Sequence, residues 1–184
     1  MLFRSAGLAT ARLADLALPA SPRTTLSVTR TGGGISVNSI PESAWLEVDL
    51  RSTSAAQLDR FAVEVAHVAR AAAAEEDARR ARGTPPLRVE VECIGDRPSG
   101  EVPTAHRLVQ TAFEATRLVG REPVSAAAST DANVPIGRGI PAVAIGAGGR
   151  GGAAHTVAEW YDNADGALGV ARALTIIVAT AGLA

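Results

Sequence analysis

Residues 24–52 read TTLSVTRTGGGISVNSIPESAWLEVDLRS. Two runs of this stretch, Thr24 to Arg30 and Ala44 to Ser52, alternate side chains of β-forming type, and Thr31-Gly32-Gly33-Gly34 lies between them as a flexible connection. The pattern predicts two adjacent antiparallel strands. Ahead of them, Ala6 to Leu18 is rich in Ala and Leu, with Arg12 and Asp15 as its charged positions, and Pro19 and Pro22 stop any helix. Behind them, Ser54 and Gln57 form a capping-box pattern. Leu58, Phe61, Val65, Val68 and Ala72 then recur along one face of a long helix expected to end near Gly83. After Pro85 and Pro86, Leu87 to Cys93 alternates apolar with charged residues. A third strand is expected there, with Cys93 facing inward beside Val89 and Val91 as a buried thiol.

The order helix, strand, strand, helix, strand is that of a ferredoxin-like βαββαβ unit without its first strand. It implies that Met1 is not the natural beginning of this fold. Asp96-Arg97-Pro98-Ser99-Gly100 is rich in turn formers and divides the chain into expected domains at residues 1–97 and 98–184. In the second, Thr104 to Val119 places Leu108, Ala112, Ala115 and Val119 on one stripe and stops at Gly120, which suits a C-cap. Val124 to Ala128 and Ala142 to Ile145 read as short apolar strands, with a turn or short helix at Asp131 to Ile136. A last helix is expected with Ala167, Val170, Ala171, Leu174, Ile177, Val178 and Ala181 as its apolar face. Helices alternating with apolar strands predict a mostly parallel sheet. The expected class is therefore α+β in the first half and α/β in the second.

Composition narrows the function. The 184 residues are 47% hydrophobic, enough for a packed core, and the formal net charge of −1 leaves no basic field for a phosphate backbone. Nucleic acid is excluded as the expected partner. One cysteine rules out an internal disulfide framework and suits a reducing compartment. Arg12 and Asp15 interrupt the only stretch that resembles a signal peptide. The longest apolar run, Ala173 to Ala184, is about half of the roughly 20 residues that span a bilayer, so no membrane partner is expected.

Chemistry has few places to sit. The glycine-rich loop from Gly146 through Gly148 to His155 leaves an expected strand end, the side of an α/β sheet where ligands bind. His155 reads either as a metal ligand or as a surface histidine beside a flexible loop; one imidazole cannot hold zinc, which takes about three protein ligands in a catalytic site. His67 and His106 lack ligand-like spacing and read as surface residues. Asn38 and Arg51 form a second constellation. A turn at Ser39-Ile40-Pro41 would bring both to one sheet edge, where a guanidinium fork and an amide suit a carboxylate; the alternative is a solvated strand-end Arg and a turn Asn. Asp131 reads as a helix N-cap or a substrate contact. Glu159 and Asp162 read as solvated acids.

These pieces together resemble one zinc metallopeptidase family, that of carboxypeptidase G, the dipeptide and tripeptide peptidases, acetylornithine deacetylase and succinyl-diaminopimelate desuccinylase. The resemblance rests on residues 31–44 with Val48-Asp49-Leu50-Arg51-Ser52. In the second half it rests on Ser129-Thr130-Asp131-Ala132-Asn133, on Gly139-Ile140-Pro141-Ala142-Val143, and on Gly148 through His155-Thr156 to Glu159-Trp160. It implies a cytoplasmic homodimer, joined through a dimerisation (lid) domain, that cleaves the amide bond of small peptides or N-acyl amino acids bearing a free carboxylate. It also implies a centre of two zinc ions, with cobalt or manganese as substitutes. By resemblance His155 is a metal ligand, and Asn38 and Arg51 hold the substrate carboxylate; Asp131 and Gly148 are kept beside them as candidate substrate contacts. The family's general base and remaining ligands match nothing in this sequence, which has no His-x-Asp segment, and Glu75-Glu76 falls within the long helix. A partial, hydrolytically inactive chain is expected. The rival reading is a noncatalytic dimerisation or ligand-binding module.

Overall fold

The computed structural model describes residues 2–182. It divides into two compact units, Met1–Ser99 and Gly100–Ala184. In the first, α1 (Leu2–Ala14), β1 (Thr24–Gly33), β2 (Ala44–Ser52) and α2 (Ala55–Asp77) follow one another, and β1 pairs antiparallel with β2. The register runs from Thr24 opposite Ser52 to Gly33 opposite Ala44, with a bulge between Val28 and Arg30. Alternation puts Thr24, Leu26 and Val28 with Leu46, Val48 and Leu50 on partly or fully buried positions, and α1 and α2 pack against the hairpin and each other. Leu13 of α1 is 1% exposed and Ala72 of α2 is 0% exposed, so this helix pair carries the core of the unit. Beside that core Arg4 reaches Glu76 at 2.7 Å and Glu75 at 3.3 Å, and Arg12 also pairs with Glu75.

Several expectations are corrected here. Ser54 is the N-cap of α2, yet its side chain makes no capping hydrogen bond, so the capping box does not form. The helix ends at Asp77, short of Gly83, where the Asp77 carboxylate accepts the Leu87 N–H at 2.9 Å instead. Leu87 to Cys93 runs beyond it without joining a ladder. Alternation states which side chains share a face, but not which neighbouring edge supplies the hydrogen bonds. Cys93 is consequently exposed, and its thiol donates to the Gly95 carbonyl at 3.3 Å.

The second unit contains α3 (Arg107–Leu118), α4 (Asn133–Gly137), β3 (Arg150–Gly152), β4 (Trp160–Asp162) and α5 (Gly166–Ala181). Its core is Ala112 and Ala115 of α3 against Ile176 of α5, with Leu108 and Val143 packed on it. Gly120, at φ +73°, closes α3 as expected. The expected parallel sheet is absent among the described residues: Val124 to Ala128 and Ala142 to Ile145 join no ladder, and the sheet that forms is the antiparallel pair β3–β4. A parallel sheet is stable when both faces are covered, and two short strands beside one helix pair have too little to cover them.

The packing face of α5 is also corrected. Val170, Leu174 and Ile177, expected inside, are 69%, 59% and 61% exposed, while Gly169 and Ile176 are buried. This helix is apolar almost all round, so periodicity alone offers more than one stripe. Gly169 decides between them. A Cβ there would stand 2.7 Å from the Gly148 nitrogen, so only a glycine lets the loop backbone lie against the helix.

Candidate functional site

His155 sits in the loop joining β3 to β4, on a short, internally bonded turn. The Thr156 N–H and hydroxyl both donate to the Ala153 carbonyl, at 3.1 and 2.7 Å, and the Glu159 N–H donates to the Thr156 carbonyl at 3.1 Å. The His155 N–H in turn donates to Glu159 Oε2 at 3.1 Å. Ala153 and His155 adopt φ of +53° and +65°, which non-glycine residues adopt at a cost of about 1–2 kcal/mol. The turn thus holds the histidine in an exposed position. Among the described residues no group of three His, Cys, Asp or Glu side chains could hold a metal ion. Zinc needs about three protein donors in a catalytic site, so the residues present do not by themselves fit the implied centre.

Asn38 and Arg51 do not meet. Asn38 lies in the exposed loop between Gly33 and Ala44, where the Ser36 hydroxyl donates to its Oδ1. Arg51 lies opposite Thr25, toward the other end of the hairpin, and its Nε donates to Asp49 Oδ2 at 2.6 Å. At ~3.3 Å per strand residue, Arg51 lies roughly 20 Å along β2 from Ala44, where the loop that carries Asn38 joins the strand. The expected turn therefore does not bring them to one sheet edge, because it closes the far end of a long hairpin.

Asp131 does not cap α4; the N-cap position is Ala132. Thr130 and Asn133 organise that turn, with the Thr130 N–H donating to Asn133 Oδ1 at 2.7 Å and the Ala132 N–H to Thr130 Oγ1 at 3.3 Å. Gly148 lies in the glycine-rich loop, where its carbonyl accepts the Tyr161 hydroxyl at 3.0 Å. His67 is exposed on α2. His106 serves the fold as the N-cap of α3, where its Nδ1 accepts the Leu108 N–H at 3.2 Å. Sequence reading missed Arg121, Arg150 and Arg172, which line one cavity with the glycine-rich loop. No spacing rule joins positions this far apart.

The hairpin with α1 and α2 on one face is the decisive arrangement. The family model of the peptidase dimerisation domain matches residues 5–77, covering the two strands, all of α2 and most of α1. Residues 5–77 are similar to a peptidase dimerisation domain. The match supports peptidase family 20, the family that the motifs of both halves resemble. No curated protein matches the chain.

The dimerisation domain holds both Asn38 and Arg51, whereas His155 lies beyond it. Its outer strand face is polar and paired, with Arg30 bonded to Glu47 at 2.9 Å and stacked 5.3 Å from the Trp45 ring centroid. Its hairpin loop exposes Ile35, Val37 and Ile40 almost fully. A domain of this class suggests that two copies of the chain pair through it. No helix among the described residues is long and apolar enough to cross a membrane.

Proposed function

We propose that this chain is part of a two-zinc amidohydrolase that cleaves small peptides or N-acyl amino acids, and that it works as a homodimer. The observation that carries the reading is the peptidase dimerisation domain at residues 5–77. Support comes from His155, an exposed imidazole on a braced turn beside the glycine-rich loop. In this reading His155 supplies one donor to a metal centre whose other donors are not in this sequence. Arg51 takes the carboxylate of the substrate, because a guanidinium gives two parallel hydrogen bonds to it. Asn38 stands too far along the hairpin to share that carboxylate within one copy, so one small substrate touches both only if they come from different copies.

The test uses the polypeptide extended upstream of Met1. Wild type is expected to bind zinc and hydrolyse dipeptides, and His155→Ala is expected to lose metal and more than the ~100-fold in activity that losing a residue behind a ligand costs. Full activity in His155→Ala would remove His155 from the site. One observation favours a second reading, a noncatalytic dimerisation or ligand-binding module: the described residues bring no three metal donors together. An extended polypeptide that pairs but neither binds zinc nor hydrolyses any dipeptide would decide for it.

A further inference from the structure

Arg121, Arg150 and Arg172 converge on one cavity of about 390 Å³ in the second unit, bordered by Asp165, Gly148 and Gly149. Three guanidiniums against one carboxylate leave its wall with a net positive charge. The Asp165 carboxylate is already engaged by Arg121. One Arg172 nitrogen, Nη2, donates to the Gly146 carbonyl, but Arg172 Nε is shielded from solvent and has no acceptor. The Arg150 side chain is exposed and makes no hydrogen bond or ion pair with any described residue. Buried N–H donors are almost always paired, with protein, water or a ligand. Arg172 Nε is closed to the cavity itself, so the free Arg150 guanidinium, beside Arg172 on a positively charged wall, is what calls for an acceptor from outside.

Two glycines let the loop backbone pack closely along that cavity's wall. Gly148 and Gly149 take φ of +90° and +70°, and a Cβ on them would stand 2.7 Å from the Asp165 carbonyl and 2.6 Å from the Tyr161 hydroxyl. The first turn of α5 borders the same space through Leu168 and Gly169, and the positive end of a helix dipole favours negative charge.

We propose that this cavity binds a small oxyanion, the carboxylate of a small organic acid or an inorganic phosphate, gripped by Arg150 and Arg172. Guanidinium forks match the planar carboxylate and the tetrahedral phosphate alike. Asp165 holds Arg121 in place and sets the size of the anion by occupying one side. No metal and no hydrolysis enter, so the site stands independently of the amidohydrolase reading.

The test is calorimetric titration of the full chain with inorganic phosphate and, separately, with succinate. One saturable site per chain is expected, weakened by added salt, and the tighter of the two anions names its source. Arg150→Gln should weaken binding about tenfold or more without changing the melting temperature, since each lost charged hydrogen bond is worth about that factor. Arg172→Gln should do the same where it folds, as its melt would show. No saturable heat from either anion up to about 10 mM, weaker than any useful small-molecule site, overturns the proposal. So does unchanged affinity in Arg150→Gln.

Discussion

At His155 the backbone stands at φ +65°, a conformation that a β-carbon disfavours, and the bonds of its turn hold it there. His155→Gly is expected to raise stability by about 1 kcal/mol, because glycine adopts this conformation without the steric cost. Thermal melts of the two chains check it; a lower melting point would mean that the imidazole makes contacts of its own. Arg51 makes the complementary case. Its guanidinium is 66% exposed and, among the described residues, tied only to Asp49. In the extended polypeptide Arg51→Ala is expected to raise KM for substrates with a free carboxylate, by the roughly 1.5–3 kcal/mol of a charged hydrogen bond, and to leave kcat near wild type. Steady-state kinetics check it, and an unchanged KM removes Arg51 from the carboxylate site. The residue types were legible in the sequence, but the bonded turn under His155 reads there only as a flexible loop. The separation of Asn38 from Arg51 was not legible, because hairpin length is fixed by how far the strands keep pairing.

Among the elements, α1 and α2 carry the dimerisation domain's core. Leu13→Ala, at a position 1% exposed, is expected to cost about 2–5 kcal/mol, measured by denaturant unfolding. The ion pairs beside this core add a pH dependence. Arg12 first and Arg4 second hold the Glu75 carboxyl below its ordinary value of 4.5. A carboxylate whose folded pKa is depressed lends stability that is fully present above its unfolded pKa and is lost as pH falls through the folded one. Glu75→Gln is therefore expected to lower the melting point at neutral pH, and the gap to wild type should close below about pH 4. A gap that stays constant into acid would show that Glu75 acts by packing alone. The α2 stripe from Phe61 to Ala72 was readable because polar residues flank it on the remaining faces. The α5 stripe was not, since an almost wholly apolar helix shows no preferred side until Gly169 meets the loop.

For the whole molecule, the dimerisation domain sets the expectation. Sedimentation equilibrium should give twice the 18.8 kDa of one chain; a monomer at every accessible concentration would count against pairing through residues 5–77. A chain with one candidate donor is also expected to keep no zinc after dialysis and to leave dipeptides intact. One retained equivalent, read by atomic absorption, would mean that the donors here suffice.

By itself the sequence determined what short-range chemistry dictates: the two alternating strands, the long amphipathic helix, the glycine cap at Gly120, and the paired motifs that resemble a peptidase family. Tertiary structure decided which edges pair, which face of α5 is covered, and which distant arginines share a cavity. Those outcomes depend on contacts between residues far apart along the chain, and a periodic pattern records only the faces that each segment offers.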